Sequence, residues 1–290
     1  MQLIVRADDV GYTDVCNIGA FEAIENGVVT SADIMLDCPG TVDALRRLKN
    51  YPWISVGWHA HFWGAPVLDP ADVPSLYDAS RNGFRKDLRA LEDVDYQQAL
   101  AECRAEINRC VEILGKAPDV SGFGMGDTPM SRAMAEVARE FGMKTDFVYM
   151  PGFPGSETEW DGKKIIAMGF EAYADLQTDS LTEIEKYDPV GYYLQDRGGM
   201  LKLPPHATAM HCWHPGYVDY FVYRLGDYGP NARNFITART VDVHALCSQQ
   251  VKDWLREHNV RLVNIRDALY GTNEYQNHLR SVGSNLYIDK

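Results

Sequence analysis

Apolar and polar positions fall into blocks along this chain, and the blocks predict alternating strands and helices. Residues 3–7 form a short Ile/Val-rich run that reads as a buried strand, and it delivers Asp8-Asp9-Val10-Gly11 at its end. Residues 17–26 follow as a helix closed by Gly27, 28–36 as a strand, and 41–50 as a helix with Arg46, Arg47 and Lys49 in its last turn. A third strand over 54–60 runs into Gly57-Trp58-His59-Ala60-His61. The stretch 62–93 has little periodicity but holds the apolar residues Leu76, Tyr77 and Phe84, so an ordered lid is expected there. A long amphipathic helix over 96–114 stops at Gly115 and Pro118.

The second half continues the alternation. A fourth strand from Val120 dissolves into Gly122-Phe-Gly-Met-Gly-Asp127, and the next helix carries Pro129 in its first turn and runs to Phe141-Gly142. Strands are expected over 144–150, 163–168 and 207–213, with a loop over 151–161 and a helix near 181–186. The 207–213 strand ends in His211-Cys-Trp-His214-Pro-Gly-Tyr217. A last long helix spans 241–258 and a last strand 260–265, before a short helix over 266–270 and a polar tail. Repeated βα units argue for an α/β fold with seven to eight mostly parallel strands, closed or nearly closed into a barrel; an open doubly wound sheet is the alternative. No linker interrupts the 290 residues, so a single domain over 1–290 is expected, with 62–93 as its insertion.

Charge and composition narrow the partners. A net charge of −13 repels phosphate backbones, which argues against nucleic acid. No apolar run approaches the ~20 residues of a membrane helix, and no basic and apolar leader opens the chain, so a cytoplasmic protein away from membranes is expected. The six cysteines contain no Cys-x-x-Cys pair and read as reduced and structural. A symmetric homodimer is the default assembly.

Acids and imidazoles collect where strands end: Asp8 and Asp9, His59 and His61, His211 and His214. Catalytic groups of α/β folds gather at those ends, and one Asp with one or two His suits a divalent transition metal. Each group alone has a plainer reading, as an acidic turn or a hydrogen-bonded histidine. Residues two apart on a strand share a face, so His59 and His61 point the same way if the strand reaches them. Asp127 is either a ligand or a helix cap. Proline after His214 holds that imidazole in extended backbone, from which it can protonate a leaving amine. Trp58, Trp63, Tyr217, Tyr220, Phe221 and Tyr223 are candidates to stack on a sugar, or are core. Arg239 and Asp242, three apart, share one helix face, where they orient a neighbour or form a surface pair.

Together these motifs resemble the YdjC/ChbG family of carbohydrate deacetylases. Ala7-Asp8-Asp9-Val10-Gly11 resembles its A-D-D-[FL]-G, and Asn17-x-Gly19 and Glu25-x-Gly27-Val28-Val29-Thr30-Ser31 the segment that follows. Gly57-Trp58-His59 resembles its G-x-H, Pro74-Ser75-Leu76 and Gly83-Phe84 its lid, His214-Pro-Gly216 its H-P-G, and Arg239-x-x-Asp242 an R-x-x-E. The resemblance implies a (β/α) barrel-like fold related to NodB and TIM barrels and removal of acetyl groups from N-acetylated sugars. It implies Asp8 as general base, Asp9 and His59 as ligands of a divalent metal, and His214 as assisting acid. From the residues themselves, Mg, Zn or Mn is the expected ion, and Trp58, Trp63, Tyr217 and Arg239 are the residues expected at the sugar. One departure stands out. The family's D-S-H-x-H-x-H stretch on the fourth strand is replaced by Val120-Ser-Gly-Phe-Gly-Met-Gly-Asp127, without histidine, while His61 stands where the family often has asparagine. The site is then either rebuilt with His61 or Asp127, or it is degenerate, leaving a barrel that binds a sugar-like ligand without hydrolysing it.

Overall fold

The computed structural model describes residues 1–121, 126–144, 148–149, 164–168, 186–204, 207–224 and 230–289. Its centre is β1 (Gln2–Val10), whose apolar residues are wholly buried. β1 pairs along one edge with β9 (Ala207–Trp213). Along the other it pairs with β2 (Ser31–Ile34) near its end and with β10 (Arg261–Leu262) near its start. From β2 the sheet continues to β3 (Ser55–Trp58) and β6 (Val120–Ser121). From β9 it continues to β8 (Lys164–Met168) and β7 (Val148–Tyr149). Every one of these pairings is parallel, as the βα alternation requires. Lys144 bridges to Val120 at one edge of the sheet and Val148 pairs with Ile165 at the other. Those two residues are four apart, a reach of at most about 14 Å, so the sheet curls until its edges nearly meet, which gives the barrel-like form.

Side chains divide by strand alternation. Leu3, Val5, Ala7, Val56, Trp58, Ala209 and Trp213 face outward into the layer between sheet and helices. Ile4, Val120, Ile165, Met210 and Cys212 fill the interior with Val263, Ile265 and Leu269. At the carboxyl ends of β1, β2 and β3 the interior turns polar, with Arg6, Asp8, Asp33 and His59.

Helices pack around the sheet, and the ninth of them packs into its interior through Ile265 and Leu269: α1 (Asp14–Glu25), α2 (Thr41–Leu48), α3 (Tyr96–Leu114), α4 (Pro129–Glu140), α5 (Pro189–Leu194), α6 (Tyr220–Tyr223), α7 (Pro230–Cys247), α8 (Gln249–Glu257), α9 (Ile265–Tyr270) and α10 (Glu274–Ser281). Several differ from expectation, α5 and α6 having no expected counterpart. The α1 helix starts three residues early because the Thr13 hydroxyl accepts from Cys16 N at 3.0 Å and caps it. The helix expected over 241–258 is two helices, α7 and α8, divided at Ser248, whose hydroxyl caps the second. The expected polar tail contains α10, which buries Tyr275, Gln276 and Leu279 and donates from Gln276 Nε2 to Leu262 O at 2.8 Å. The loop expected over 151–161, and all but the last residue of the helix near 181–186, lie outside the described residues.

The stretch 62–93 is ordered. It contains the hairpin β4 (Tyr77–Asp78) and β5 (Gly83–Phe84) and a short 3-10 helix, Leu88–Ala90. Val73, Leu76, Phe84 and Leu88 anchor it in the core. Two buried carboxylates behind it tie down its backbone: Asp37 accepts from Gly64 N at 2.7 Å, and Glu102 accepts from Val67 N at 2.7 Å and Leu68 N at 3.1 Å. Among the described residues no helix is long and apolar enough to cross a membrane.

Candidate active site

Consecutive residues of a regular strand point to opposite faces, so Asp8 and Asp9 should not serve one site. A bulge resolves this. Ala7 pairs with Ala32 and Val10 with Ile34, three residues of β1 against two of β2. The extra residue is accommodated at Asp9, whose φ of +60° lies in the left-handed region that aspartate tolerates better than most. Both carboxylates therefore lie at the barrel mouth, and both are buried. Asn17 fixes the turn beyond them: its Oδ1 accepts from Gly11 N at 2.8 Å while its Nδ2 donates to Gly40 O at 2.9 Å.

Asp9 sits between a cation and two imidazoles. Arg239 NH2 donates to Asp9 Oδ2 at 2.5 Å. Asp9 Oδ1 is buried without a hydrogen bond and lies 3.1 Å from His59 Nε2 and 3.7 Å from His61 Nε2. The two Nε2 atoms are 2.9 Å apart. Three lone-pair donors converging on one point, one of them an orphaned buried carboxylate oxygen, is the donor set of a divalent metal site. Burial works against the Asp9 charge, but Arg239, His59 and His214 outweigh it and hold this carboxyl well below the usual carboxylate range. Burial pulls His59 down, yet the Asp33 and Asp9 carboxylates raise it to about 10. Burial, reinforced by the charge of His59, holds His61 well below the ordinary histidine value.

Asp8 lies beside this centre. Arg6 grips it bidentately, Nε to Oδ1 at 2.6 Å and NH2 to Oδ2 at 2.8 Å, and reaches Asp33 Oδ2 with NH1 at 3.1 Å. Asp33 in turn lies 3.4 Å from His59 Nδ1 and so orients that ring from behind. Gly57, opposite Asp33 in register, makes room for its carboxylate: a Cβ there would lie 1.9 Å from Asp33 Oδ1. His214 Nε2 is 3.9 Å from Asp8 Oδ2. Burial lowers His214 to about 4, leaving a neutral ring at neutral pH. Its backbone N donates to Asp242 Oδ2 at 3.0 Å, and its ring packs edge-on against Phe235. Gly216 and Gly19 allow the His214-Pro-Gly turn to lie directly on α1: a Cβ on Gly216 would meet Cys16 Sγ at 2.4 Å, and one on Gly19 would meet Gly216 C at 2.7 Å.

The fold thus brings Asp8, Asp9, His59, His61, His214 and Arg239 together, and places other candidates elsewhere. Asp127 is not with them: its side chain is 87 % exposed and pairs with Arg132, while Thr128 caps α4. Residues 122–125 lie outside the described residues. Trp58 does not face a ligand: it points outward, fully buried, and donates from Nε1 to Glu106 Oε2 at 2.8 Å. Arg239 is likewise fully buried behind Asp9, so its role is to hold that carboxylate rather than to meet a sugar. Tyr217 is half-buried, with its backbone against Gly19 of α1. Trp63 is 38 % exposed and stacks on His61 with centroids 4.2 Å apart. It also lines a cavity of about 650 Å³ with Tyr12, Asp37, Phe84, Arg109 and Phe221. His211 points to the outer layer among Tyr192, Tyr193 and Trp213, with burial lowering it to about 3. Arg6 and Asp33 were not singled out from the sequence, although a charge inside an apolar run is a signal. Arg89, of the 3-10 helix, is a third such residue: it contacts His61 Nδ1 at 3.1 Å.

Comparisons with known proteins agree in coverage. A family model described as YdjC-like protein matches residues 2–257. Carbohydrate deacetylase 2 of Listeria innocua is 25 % identical over 273 residues, covering 92 % of this chain and 98 % of the relative. A carbohydrate deacetylase of Brevibacillus brevis is 27 % identical over 274 residues, covering 92 % and 99 %. Among solved structures, an Enterococcus faecalis protein described as a candidate cellobiose-phosphate cleavage protein superposes with a TM-score of 0.63 at 20 % identity, over 91 % of this chain and 97 % of its own.

Proposed function

Because the chain belongs to the YdjC-like family, we propose that it is a metal-dependent hydrolase that removes the acetyl group from an N-acetylated sugar. The observation that carries this reading is the convergence of Asp9 Oδ1, His59 Nε2 and His61 Nε2 beside the facing pair Asp8 and His214. Relatives named carbohydrate deacetylases supply the substrate class. Asp9, His59 and His61 would hold the divalent ion, with His61 standing in for the histidines missing from 120–127. Such an ion, when bound, supplies positive charge that polarises an amide carbonyl and stabilises the oxyanion. Arg239 and Asp33 keep Asp9 and His59 aimed.

The proton chemistry belongs to Asp8 and His214. Asp8, a carboxylate fixed by Arg6, takes a proton from the attacking water as the oxygen bonds to the acetyl carbon. His214 is neutral at rest, so it must gain a proton before it can give one, and Asp8 Oδ2 at 3.9 Å is the near source. The imidazolium then protonates the sugar nitrogen as the C–N bond breaks, leaving acetate and a free amine. Trp63, at the cavity wall next to His61, is the aromatic placed to stack on a sugar ring. We read the chain as one catalytic unit with 62–93 as its lid.

Protein purified without chelator should contain a divalent metal and release acetate from short N-acetylglucosamine oligomers. Metal without acetate from any N-acetylated sugar would remove the deacetylase assignment. Neither metal nor acetate would favour a barrel that only binds a sugar-like ligand.

A further inference from the structure

We propose that Arg6 is a positioning residue that sets the base and the metal centre in register, its guanidinium joining Asp8 to the carboxylate behind His59. This rests on the reading of the site as a metal-dependent hydrolase. Arg6 and Asp8, two apart on β1, share the interior face of the barrel. Arg6 pairs in register with Ser31, two residues before Asp33 on β2, and its side chain leans toward the carboxyl ends of both strands. NH2 donates to Asp8 Oδ2 at 2.8 Å, an oxygen 3.9 Å from His214 Nε2. NH1 reaches Asp33 Oδ2 at 3.1 Å, an oxygen 3.4 Å from His59 Nδ1. Two lines of contact therefore meet in one planar group. One leads to the proton-transfer pair and the other to a metal ligand.

A guanidinium is rigid, so the spacing of its two terminal nitrogens fixes the spacing of the oxygens they hold. Attack on an amide carbonyl needs the base and the polarising charge at a set separation, and an error of about 1 Å costs about 10²-fold in rate. A carboxylate that orients a ligating imidazole is worth about 10–100-fold in metal affinity. Charge balance alone would not require an arginine here, since an ammonium carries the same charge. What a lysine lacks is the fork: it is a point charge on a flexible stem and cannot hold the oxygens of Asp8 and Asp33 in one plane. The contribution of Arg6 beyond its charge is therefore the register between the two carboxylates.

The test is calorimetric titration with Zn²⁺, and acetate release from N-acetylglucosamine oligomers at saturating Zn²⁺, for the wild type, Arg6→Lys, Asp33→Asn and the double variant. Arg6→Lys keeps the charge, yet should lower kcat by about 10–100-fold at unchanged KM and Zn²⁺ affinity by about tenfold. The affinity loss should vanish in the Asp33→Asn background, because Arg6 acts on the metal through that carboxylate. Asp33→Asn, with Arg6 intact, should itself lower kcat at saturating Zn²⁺ by about tenfold. Wild-type kcat and affinity in Arg6→Lys overturn the proposal and leave Arg6 as charge compensation. So does an affinity loss of equal size in the Asp33→Asn background. So does wild-type kcat in Asp33→Asn, and that outcome decides even if Arg6→Lys does not fold. Weaker binding by Asp33→Asn with no change in Arg6→Lys leaves the metal centre standing and removes the register alone. A wild type that binds Zn²⁺ but releases no acetate removes the deacetylase reading, and the affinity cycle then decides for or against Arg6. A wild type that binds no Zn²⁺ removes the metal reading and the proposal with it.

Discussion

At the scale of single residues, the site is a set of charges that hold one another. Arg6 satisfies both oxygens of Asp8, so the proposed base is oriented but has spent much of its hydrogen-bonding capacity on one partner. Asp8→Asn should abolish turnover while leaving metal affinity intact, because the amide keeps the shape and cannot take a proton. It should also cost about 1–3 kcal/mol of stability, since its NH₂ meets the guanidinium as donor against donor; steady-state kinetics, metal titration and urea unfolding read the three effects separately. His59 gives a pH signature. Its folded value of about 10 lies above the ordinary 6.5, so its proton stabilises the metal-free fold fully below 6.5 and progressively less as pH rises toward 10. Chelated wild-type protein should therefore lose more thermal stability between pH 7 and 10 than chelated His59→Gln. Equal losses would mean that the proton on this ring is not linked to folding.

At the scale of elements, the pieces that build the site are a bulge, a glycine and a helix face. Gly57→Ala should destabilise by about 1–3 kcal/mol, as overpacked interiors do, and weaken metal binding, because the added methyl must push Asp33 off Arg6 and His59. Urea unfolding and metal titration check it; full stability would show that Asp33 has room to move. The strands and their end residues were legible in the sequence because apolar runs and strand-end acids and histidines are local signals. Period two, applied one residue further, also separates Trp58 from His59, since neighbours on β3 face opposite layers. The bulge was not legible, because an αL aspartate in a strand leaves no mark on composition. Nor was the first half of α7, where Asn231, Asn234, Thr237 and Thr240 are weak helix formers. Arg239 was legible as a helix-face charge but not as the partner of Asp9, a contact 230 residues distant in sequence.

For the whole molecule, a metal held only by the folded barrel is also a stabiliser. At a free concentration a hundredfold above its dissociation constant it adds about 2.7 kcal/mol. With an unfolding entropy of about 2.1 cal/mol/K per residue, that is roughly 4 °C in a chain of this length. Chelation should lower the melting temperature by this much and Zn²⁺ should restore it, whereas no shift on chelation would argue against a metal linked to the fold. The central place of β1 has a consequence of another kind, for the order in which the molecule comes into being. β1 is made first, yet β9, its partner along one whole edge, begins at Ala207, and Arg239, which neutralises Asp9, comes later still. At about 5–20 residues per second, the ribosome needs roughly 10–50 s to bridge that gap. Through that interval the nascent chain carries an apolar strand with one edge open and an aspartate without its counter-charge. Assembly of the catalytic end is therefore among the last events of synthesis, and a chaperone that shields β1 early would act on yield without ever touching the finished site.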